Sequence, residues 1–279
     1  MKLVQRLAIG YIRTKFKWMR HFSKRKTAEA AFRLFCTPYI RTRNKNKLHN
    51  AEPLSFQFES VSIRGYRWNH PQPKKALLLH GFNSAAHKFA EYALALSAKG
   101  YEVLAFDAPA HGNSGGKMVN ALVYSSMIKK VNELYGPVDS YIAHSFGGLA
   151  ITLALEELPH DAGTRVVLIA PATETTSAID SAFKLLGLDD QDVRREFEHI
   201  IYTRSGRQTE WFSVRRAVRQ LRARILWVHD EDDDVTPWED AERVKNDNHP
   251  HIEFVVTKGL GHQKIYRDDT IKSKVTGFL

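Results

Sequence analysis

A chain of 279 residues that is 43% hydrophobic and 11% aromatic can fill a large core, and its length suits one domain better than two. The single cysteine, Cys36, excludes an internal disulfide, so a folded cytoplasmic protein is expected. The net charge of +10 arises in residues 1–50, which hold 14 basic residues and one acid, whereas the remainder is slightly acidic. This distribution disfavours a nucleic-acid-binding function.

The first 50 residues form a basic N-terminal segment with the periodicity of an amphipathic helix. Its apolar residues recur mostly three or four apart, with Lys and Arg between them: Val4, Leu7, Tyr11, Phe16, Met19 and Phe22. The apolar stretch is too short and too charged to span a membrane, and no cleavage site of a signal peptide follows it. Two interpretations stay open: a helix packed on the domain, or a peripheral anchor on anionic lipid at the inner membrane face.

A second, shorter helix is predicted within the same basic segment. Thr27 is the expected N-cap of this helix, which would cover residues 28–36 and end before Pro38. Residues 51–279 then form the main domain.

From residue 54 onward, short apolar runs alternate with helical stretches. "LSFQFES" and "VSIRGYRW" predict an antiparallel pair; later strands are predicted in "KALLLHGF", "YEVLAFDAP", "VDSYIAHS", "TRVVLIAP", "ARILWVHDED" and "HIEFVVTKG". Helices are expected near residues 85–99, 118–135, 147–158 and 238–246. This alternation is typical of an α/β fold with a mostly parallel central sheet and helices on both faces.

About fifty residues, 172–222, interrupt this alternation and predict a helical cap insertion. The interval is too long for an ordinary connection and contains two or three helical stretches, so it is expected over the carboxyl edge of the sheet. Several of its apolar residues either line an acyl pocket or pack the cap, and packing is the simpler interpretation for most of them: Phe183, Leu185, Leu186, Ile200, Ile201, Trp211 and Phe212.

Ser145 lies where a predicted strand runs directly into a predicted helix, in "DSYIAHSFGGL". Such a strand-turn-helix junction is a nucleophile elbow when small residues stand two positions before and two positions after the serine. Gly147 fills the later position, and Ala143 stands where glycine is usual. A serine hydroxyl is a poor nucleophile without a base, so the chain must also supply a base and an orienting acid.

Both groups follow in the chain order that an elbow of this type requires. "WVHDEDDDVTP" places acids after one strand, and "TKGLGHQKI" places His262 after the last strand. Together with "LLLHGFNS" and "DAPAHGNS", these motifs make residues 55–279 resemble the serine hydrolases of the α/β-hydrolase fold, an esterase- and lysophospholipase-like superfamily. Each motif is weak alone, but their joint order and spacing are specific.

The resemblance implies a triad of Ser145 as nucleophile, His262 as base and then acid, and an aspartate that orients the imidazole. Related hydrolases place that acid four residues before a proline, and Pro237 then selects Asp233. Three other acids stay open for this role, namely Asp230, Asp232 and Asp234. A metal site at His229 with these acids is disfavoured because the run lacks calcium-loop and zinc-helix spacing, so neither metal nor cofactor is expected.

An oxyanion hole is expected from two backbone N–H groups. Phe146 follows the nucleophile at a helix N-terminus, where the helix dipole favours negative charge, and Phe82 in "HGFN" supplies the second donor. His80 and His111 are interpreted as structural residues. His144 is expected to line or support the pocket rather than act as a second base.

The predicted activity is two-step acyl transfer on a carboxylic ester, with a small-molecule acyl substrate and no nucleic-acid partner. A thioesterase, an amidase or a C–C bond hydrolase would use the same residues, because the pocket and not the fold selects the chemistry. A haloalkane dehalogenase is disfavoured, since its elbow carries a carboxylate. The competing hypothesis is a weakly catalytic protein that binds lipid surfaces through residues 1–50. Natural substrate and oligomeric state stay open.

Overall fold

The computed structural model describes the backbone of residues 3–279 and the side chains from Ile9 onward. The chain divides into two compact units, each of which combines two stretches of sequence. The sheet unit comprises Pro38–Thr173 and Ser213–Leu279, and the helical unit comprises Glu174–Phe212 together with the chain up to Thr37.

The sheet unit contains one eight-stranded sheet in the described part of the chain, with the order β1-β2-β4-β3-β5-β6-β7-β8. β2 is antiparallel to β1 and β4, and all other neighbouring pairs are parallel. The strands are β1 Ala51–Phe58, β2 Val61–Trp68, β3 Lys74–Leu79, β4 Tyr101–Phe106, β5 Ser140–His144, β6 Arg165–Ile169, β7 Arg224–Asp230 and β8 Ile252–Thr257. The mostly parallel sheet predicted from the sequence is confirmed.

Helices precede, connect and follow these strands. In chain order they are α1 Leu3–Phe22, α2 Lys24–Phe35, α3 Ala90–Ala98, α4 Ala121–Tyr135, α5 Phe146–Leu155, α6 Thr175–Leu186, α7 Gln191–Ser205, α8 Val214–Val218, α9 Trp238–Asn246, α10 Gly261–Lys264 and α11 Asp269–Phe278. No helix that the structure describes is both long and apolar enough to cross a membrane.

The central strands are buried along nearly their whole length. β4 and β5 are buried at every position, β7 at all but its first residue and β3 at all but its first two. Helices cover both faces of a parallel sheet, so neither face is exposed to solvent. The strands are therefore continuously buried and show no alternation of apolar and polar residues. The carboxyl ends of β3, β5, β6 and β7 consequently meet at one edge, where the loops carrying the motifs begin.

The helical unit contains α1, α2, α6 and α7. The ring of Phe197 on α7 contacts Phe32 and Phe35 on α2, with centroids 5.7 and 5.8 Å apart, and Phe183 on α6, at 5.3 Å. The guanidinium of Arg204 lies over the Phe32 ring. An aromatic cluster therefore joins the N-terminal helices to helices that follow β6.

The second N-terminal helix begins earlier than predicted. Ser23 caps α2 with extended backbone, and its Oγ accepts a hydrogen bond from the N–H of Lys26. Thr27 instead lies inside the helix, buried, with its hydroxyl donating to the Ser23 carbonyl at 2.7 Å. The predicted cap at Thr27 is therefore wrong, because Ser23 occupies the capping position one turn earlier.

Candidate active site

Ser145 lies at a tight turn between β5, which ends at His144, and α5, which begins at Phe146. Its backbone has φ 53° and ψ −121°, a conformation that a residue with a side chain rarely adopts. The turn is stabilised because the Ser145 N–H donates to Ile169, and the Ser145 carbonyl accepts from the N–H groups of Gly148 and Ala172, at 2.8–3.0 Å. This strained turn is the geometry of a nucleophile elbow.

The small residues around Ser145 are required by close backbone packing. A Cβ atom at Gly147 would lie 2.8 Å from the carbonyl oxygens of both Leu79 and His80, which are backbone atoms and cannot give way as the end of a flexible side chain can. Ala143 is completely buried in β5, between Leu79 of β3 and Leu168 of β6. Alanine therefore fits the position where glycine is usual, whereas the position of Gly147 admits no side chain.

His262 and Asp233 form a buried hydrogen-bonded pair. The Nδ1–H of His262 donates to Oδ2 of Asp233 at 2.8 Å, and the Asp233 carboxyl group is fully shielded from solvent. Burial opposes ionisation of this carboxyl group. The hydrogen bonds from His262 and from the N–H groups of Val235 and Thr236 outweigh burial and hold the pKa of Asp233 below its ordinary value.

Of the four acids that the sequence left open, Asp233 is the one in contact with His262. Asp232 and Asp234 are exposed. Asp230 is buried and accepts hydrogen bonds from the Thr257 hydroxyl at 2.7 Å and from the Leu260 N–H at 3.0 Å. These contacts fix the loop that leads to His262, so Asp230 supports the histidine loop from a distance.

Thr236 contacts both members of the Asp233–His262 pair, which sequence reasoning missed. Its hydroxyl donates to Asp233 Oδ2 at 2.9 Å, and the same oxygen lies 3.2 Å from His262 Nδ1. The only local signal is a threonine three residues after an acid and next to a proline. That pattern does not identify the partner histidine, which lies 26 residues further along the chain.

His144 and its neighbour Ser145 lie beside the histidine loop. The Nε2–H of His144 donates to the carbonyl oxygen of His262 at 3.0 Å, and the ring centroids of these two histidines are 4.7 Å apart. The His144 ring also lies 4.5 Å from that of Tyr266. Burial, followed by the nearby His262, lowers the pKa of His144 to about 3, so its ring is neutral and supports the loop.

The segment after β3 passes directly beside Ser145. A Cβ atom at Gly81 would lie only 2.9 Å from the Cβ of Ser145, so only glycine permits this approach. The rings of Phe82 and Phe146 meet edge to face, with centroids 5.6 Å apart. Both predicted oxyanion donors therefore belong to backbone segments adjacent to the Ser145 side chain.

His80 and His111 hold this neighbourhood through backbone hydrogen bonds. His80 donates from Nδ1 to the Gly81 carbonyl and accepts at Nε2 from the Ala108 N–H, at 2.8 and 2.9 Å. His111 donates to Pro109 and accepts from the Asn83 N–H. Burial lowers the pKa of His80 to about 4 and that of His111 to about 3. Both rings are neutral near pH 7 and act as structural groups.

Asp107 braces the loop after β4. Its two carboxyl oxygens accept hydrogen bonds from the N–H groups of Ala86 and Asn113, each at 2.8 Å. A Cβ at Gly112 would overlap this carboxyl group, which requires glycine there. Burial raises the pKa of Asp107 against these hydrogen bonds. Asp107 thus joins the segments that follow β3 and β4.

His229 donates from Nε2 to the carbonyl of Thr236 at 2.9 Å and is completely buried. Its role is to fix the acid loop, and burial lowers its pKa. Among the residues that the structure describes, no group of three or more His, Cys, Asp or Glu side chains is arranged to hold a metal ion.

Most apolar residues proposed as cap or pocket groups are packed within the helical unit. Phe183, Leu186, Ile200, Ile201 and Phe212 are buried there, Trp211 is half-buried, and Leu185 is exposed. Packing of the helices on one another accounts for the buried members of this set.

Comparison with known proteins shows that the chain shares the α/β-hydrolase fold. Residues 71–188 match the family described as serine aminopeptidase, S33. The esterase Pf2001 of Pyrococcus furiosus superposes with a TM-score of 0.64 and 20% identity, covering 87% of this chain and 95% of that one. The esterase Est1E of Butyrivibrio proteoclasticus, with ferulic acid bound, gives 0.62 and 18%, covering 81% and 97%.

A thioesterase domain from the curacin biosynthetic pathway also shares the architecture, with a TM-score of 0.58, 16% identity and coverage of 82% of this chain and 98% of that one. No curated protein matches the chain in sequence. The chain has the α/β-hydrolase fold, and the resemblance predicted from its motifs is confirmed. At these identities the solved structures establish the fold alone.

Proposed function

We propose that the protein is a serine hydrolase that cleaves a carboxylic ester through an acyl-enzyme intermediate. The observation that carries this proposal is the Asp233–His262 pair, 2.8 Å apart, which stands beside a strained elbow that presents Ser145. The esterase architecture of the structural neighbours supports the same reaction class.

The first half-reaction acylates Ser145. His262 removes the hydroxyl proton while the serine oxygen attacks the ester carbonyl, and Asp233 stabilises the imidazolium that results. Because Asp233 accepts from Nδ1–H, the other ring nitrogen, Nε2, is the base that faces the serine in this scheme. The backbone N–H groups of Phe82 and Phe146 stabilise the negative charge that develops on the carbonyl oxygen.

The second half-reaction releases the acid. His262 first gives its proton to the departing alkoxide, and it then accepts a proton from the water that attacks the acyl-enzyme. Collapse of the second tetrahedral intermediate regenerates Ser145 with its hydroxyl restored. These steps use side chains and backbone dipoles only, and they require neither a metal ion nor a cofactor.

The proposed substrate is a small carboxylic ester. A thioester is the alternative substrate, because the same groups would attack it. The thioesterase neighbour makes this alternative worth including in any assay panel. We place the reaction in the cytoplasm, which is supported by the absence of a disulfide-forming pair in a chain with one cysteine.

Labelling with a fluorophosphonate probe tests the proposal directly. The adduct is expected on Ser145, located by mass spectrometry, and it should vanish in Ser145→Ala and fall strongly in His262→Ala. Ser55→Ala, at an exposed serine on β1, is the matched control and should label like the parent protein. Folded parent protein that fails to label, or that labels elsewhere, would contradict the assignment; an ester and thioester chain-length panel then separates the two substrate classes.

A further inference from the structure

We infer that one exposed face of helix α1 docks on an anionic phospholipid surface. This lipid-facing stripe is defined as Tyr11, Lys15, Trp18 and Phe22. The inference is independent of the proposed hydrolysis, because none of these residues belongs to the site around Ser145.

The stripe is a second apolar face and not the face that packs in the protein. Phe16 is buried and Met19 is half-buried, whereas Tyr11, Trp18 and Phe22 are 71%, 65% and 84% exposed. The sequence periodicity predicts one apolar face that contains Tyr11, Phe16, Met19 and Phe22 together and leaves out Trp18. At 100° per residue, the three exposed aromatic residues fall within about 40° of one another and more than 100° from Phe16. Because these three rings are mostly exposed, they bury little apolar surface and contribute little to the stability of the fold.

The packed face holds α1 in place, so the stripe is presented on a fixed helix. Nε of Arg13 donates to the carbonyl of Leu185 at 2.7 Å, and Arg20 donates to the carbonyl of Asp189. Just beyond α1, Lys24 pairs with Asp190 at 2.5 Å. These contacts all lie within the helical unit and leave the stripe free.

The chemistry of the stripe matches a lipid headgroup region. Trp and Tyr are amphipathic rings that concentrate at membrane interfaces, and lysine beside them attracts anionic headgroups. From Ile9 onward, no carboxylate in the described structure pairs with Lys15 or Lys17, and the first 50 residues contain a single acid, Glu29. The positive charge around the stripe is therefore available to an outside partner.

The length and shape of the stripe also suit a surface rather than a pocket. Tyr11 and Phe22 are eleven residues apart, which corresponds to about 17 Å along a helix. A row of rings on a convex helix inserts in parallel into an interface plane, whereas a protein partner would need a matching groove. Anionic lipid is thus the occupant that the charge and the rings favour together.

Vesicle co-sedimentation of the full chain tests this inference. Binding is expected to phosphatidylglycerol-containing vesicles, to be weak on pure phosphatidylcholine and to fall as salt is raised. The double variant Trp18→Gln with Phe22→Gln should bind at least tenfold more weakly. Lys15→Gln with Lys17→Gln should bind several-fold more weakly and show a shallower dependence on salt, because two of the basic residues of the segment are removed.

Matched controls separate the stripe from general surface effects. Tyr202→Gln and Leu134→Gln replace large exposed apolar residues elsewhere and should leave vesicle binding unchanged. Trp18→Phe should keep binding but lose the quenching of tryptophan fluorescence by brominated lipid that the parent shows. Trp18 is the tryptophan of the lipid-facing stripe, whereas Trp68 and Trp227 are buried and Trp211 and Trp238, both half-buried, lie outside the stripe. Ser145→Ala should bind like the parent, so failed hydrolysis and failed docking remain distinguishable.

Three results would overturn the inference. The first is a folded parent protein that does not bind anionic vesicles. The second is binding that the stripe variants leave unchanged. The third is competition in which short RNA or DNA removes the protein from vesicles at lower phosphate concentration than phosphatidylglycerol does, because the basic face would then serve nucleic acid.

Discussion

Two pairs of loops surround Ser145, and histidines are used differently in each. In the loops after β3 and β4, His80 and His111 hydrogen-bond only to backbone atoms, and their pKa values are lowered to about 4 and 3. In the loops after β7 and β8, His262 instead faces the carboxylate of Asp233. Histidine is thus neutral in the loops after β3 and β4, whereas in the loops after β7 and β8 it has a carboxylate as its partner.

This difference distinguishes histidines that fix the backbone from a histidine that accepts a proton. A neutral imidazole that donates to one carbonyl and accepts from one N–H fixes two backbone segments without introducing charge, which suits loops that present backbone dipoles. A group that must accept a proton needs a nearby negative charge to stabilise the cation.

Replacing Asp233 with asparagine should have the largest effect on activity. Asparagine keeps the shape but presents an amide N–H₂ to the histidine, which favours the wrong tautomer, and kcat is expected to fall roughly 10⁴-fold. Steady-state assays with an activated ester measure the loss. Asp234→Asn, at the exposed neighbour, is the control and should retain parental activity. Parental activity in Asp233→Asn would show that the pair in the structure is not used in catalysis.

Acidification should destabilise the fold through the neutral histidines before it protonates Asp233, whose pKa is lowered in the fold. His80, His111 and His144 have folded-state pKa values of about 4, 3 and 3, below the ordinary value, so the unfolded chain binds more protons as pH falls. Stability should therefore decrease from about pH 6.5 downward, by up to about 1.4 kcal/mol per pH unit for each of these groups. The lowered pKa of Asp233 contributes only below about pH 4.

Urea denaturation across this pH range measures the slope. His111→Gln removes one of the three imidazoles that contribute to the pH dependence of the free energy of unfolding. The slope of that free energy against pH should decrease by about the contribution of one histidine, even if the variant is less stable at pH 7. His21→Gln, at an exposed histidine on α1, is the control and should leave the slope of the parent unchanged. An unchanged slope in His111→Gln would contradict the neutral-histidine explanation.

Asp107→Asn should weaken the brace between the loops after β3 and β4. One amide oxygen can still accept a hydrogen bond, but the amide N–H₂ would face the N–H of Ala86 or Asn113, each of which now donates to a carboxyl oxygen. The unsatisfied donors should cost about 1–3 kcal/mol in the free energy of unfolding, measured in urea. Asp234→Asn again serves as the exposed control. Stability unchanged in Asp107→Asn would mean that the loops are held by other contacts.

Much of the fold was predictable because its signals are local. The runs that became β3 to β7 are short and apolar, and the elbow is a single junction of strand and helix with small residues around Ser145. The pairing of Asp233 with its histidine also followed from motif order, although that selection depended on the resemblance. Such features can be predicted from the sequence because each is determined by neighbouring residues or by an order of motifs shared across the fold.

What escaped prediction depends on contacts between distant residues. Periodicity marked Tyr11 and Phe16 as parts of one apolar face, but only packing decides that Phe16 is buried while Tyr11 is exposed. Ser23 and Thr27 are both good capping residues, and the backbone at Ser23 decides between them. The contact of α2 with α7 joins stretches more than 150 residues apart, which the sequence pattern could not reveal.

Thr236 is the clearest case of such a residue, and it supports the last and smallest prediction. Thr236→Val keeps the size but removes a hydroxyl that donates to Asp233 Oδ2 at 2.9 Å. The carboxylate becomes a stronger acceptor for His262, so the acid limb of the kcat/KM profile should move to higher pH. Activity at neutral pH should fall about tenfold, which corresponds to about 1.4 kcal/mol. Thr236→Ser keeps the hydroxyl and should restore both the rate and the profile; a valine variant whose profile does not move would reduce Thr236 to a packing residue.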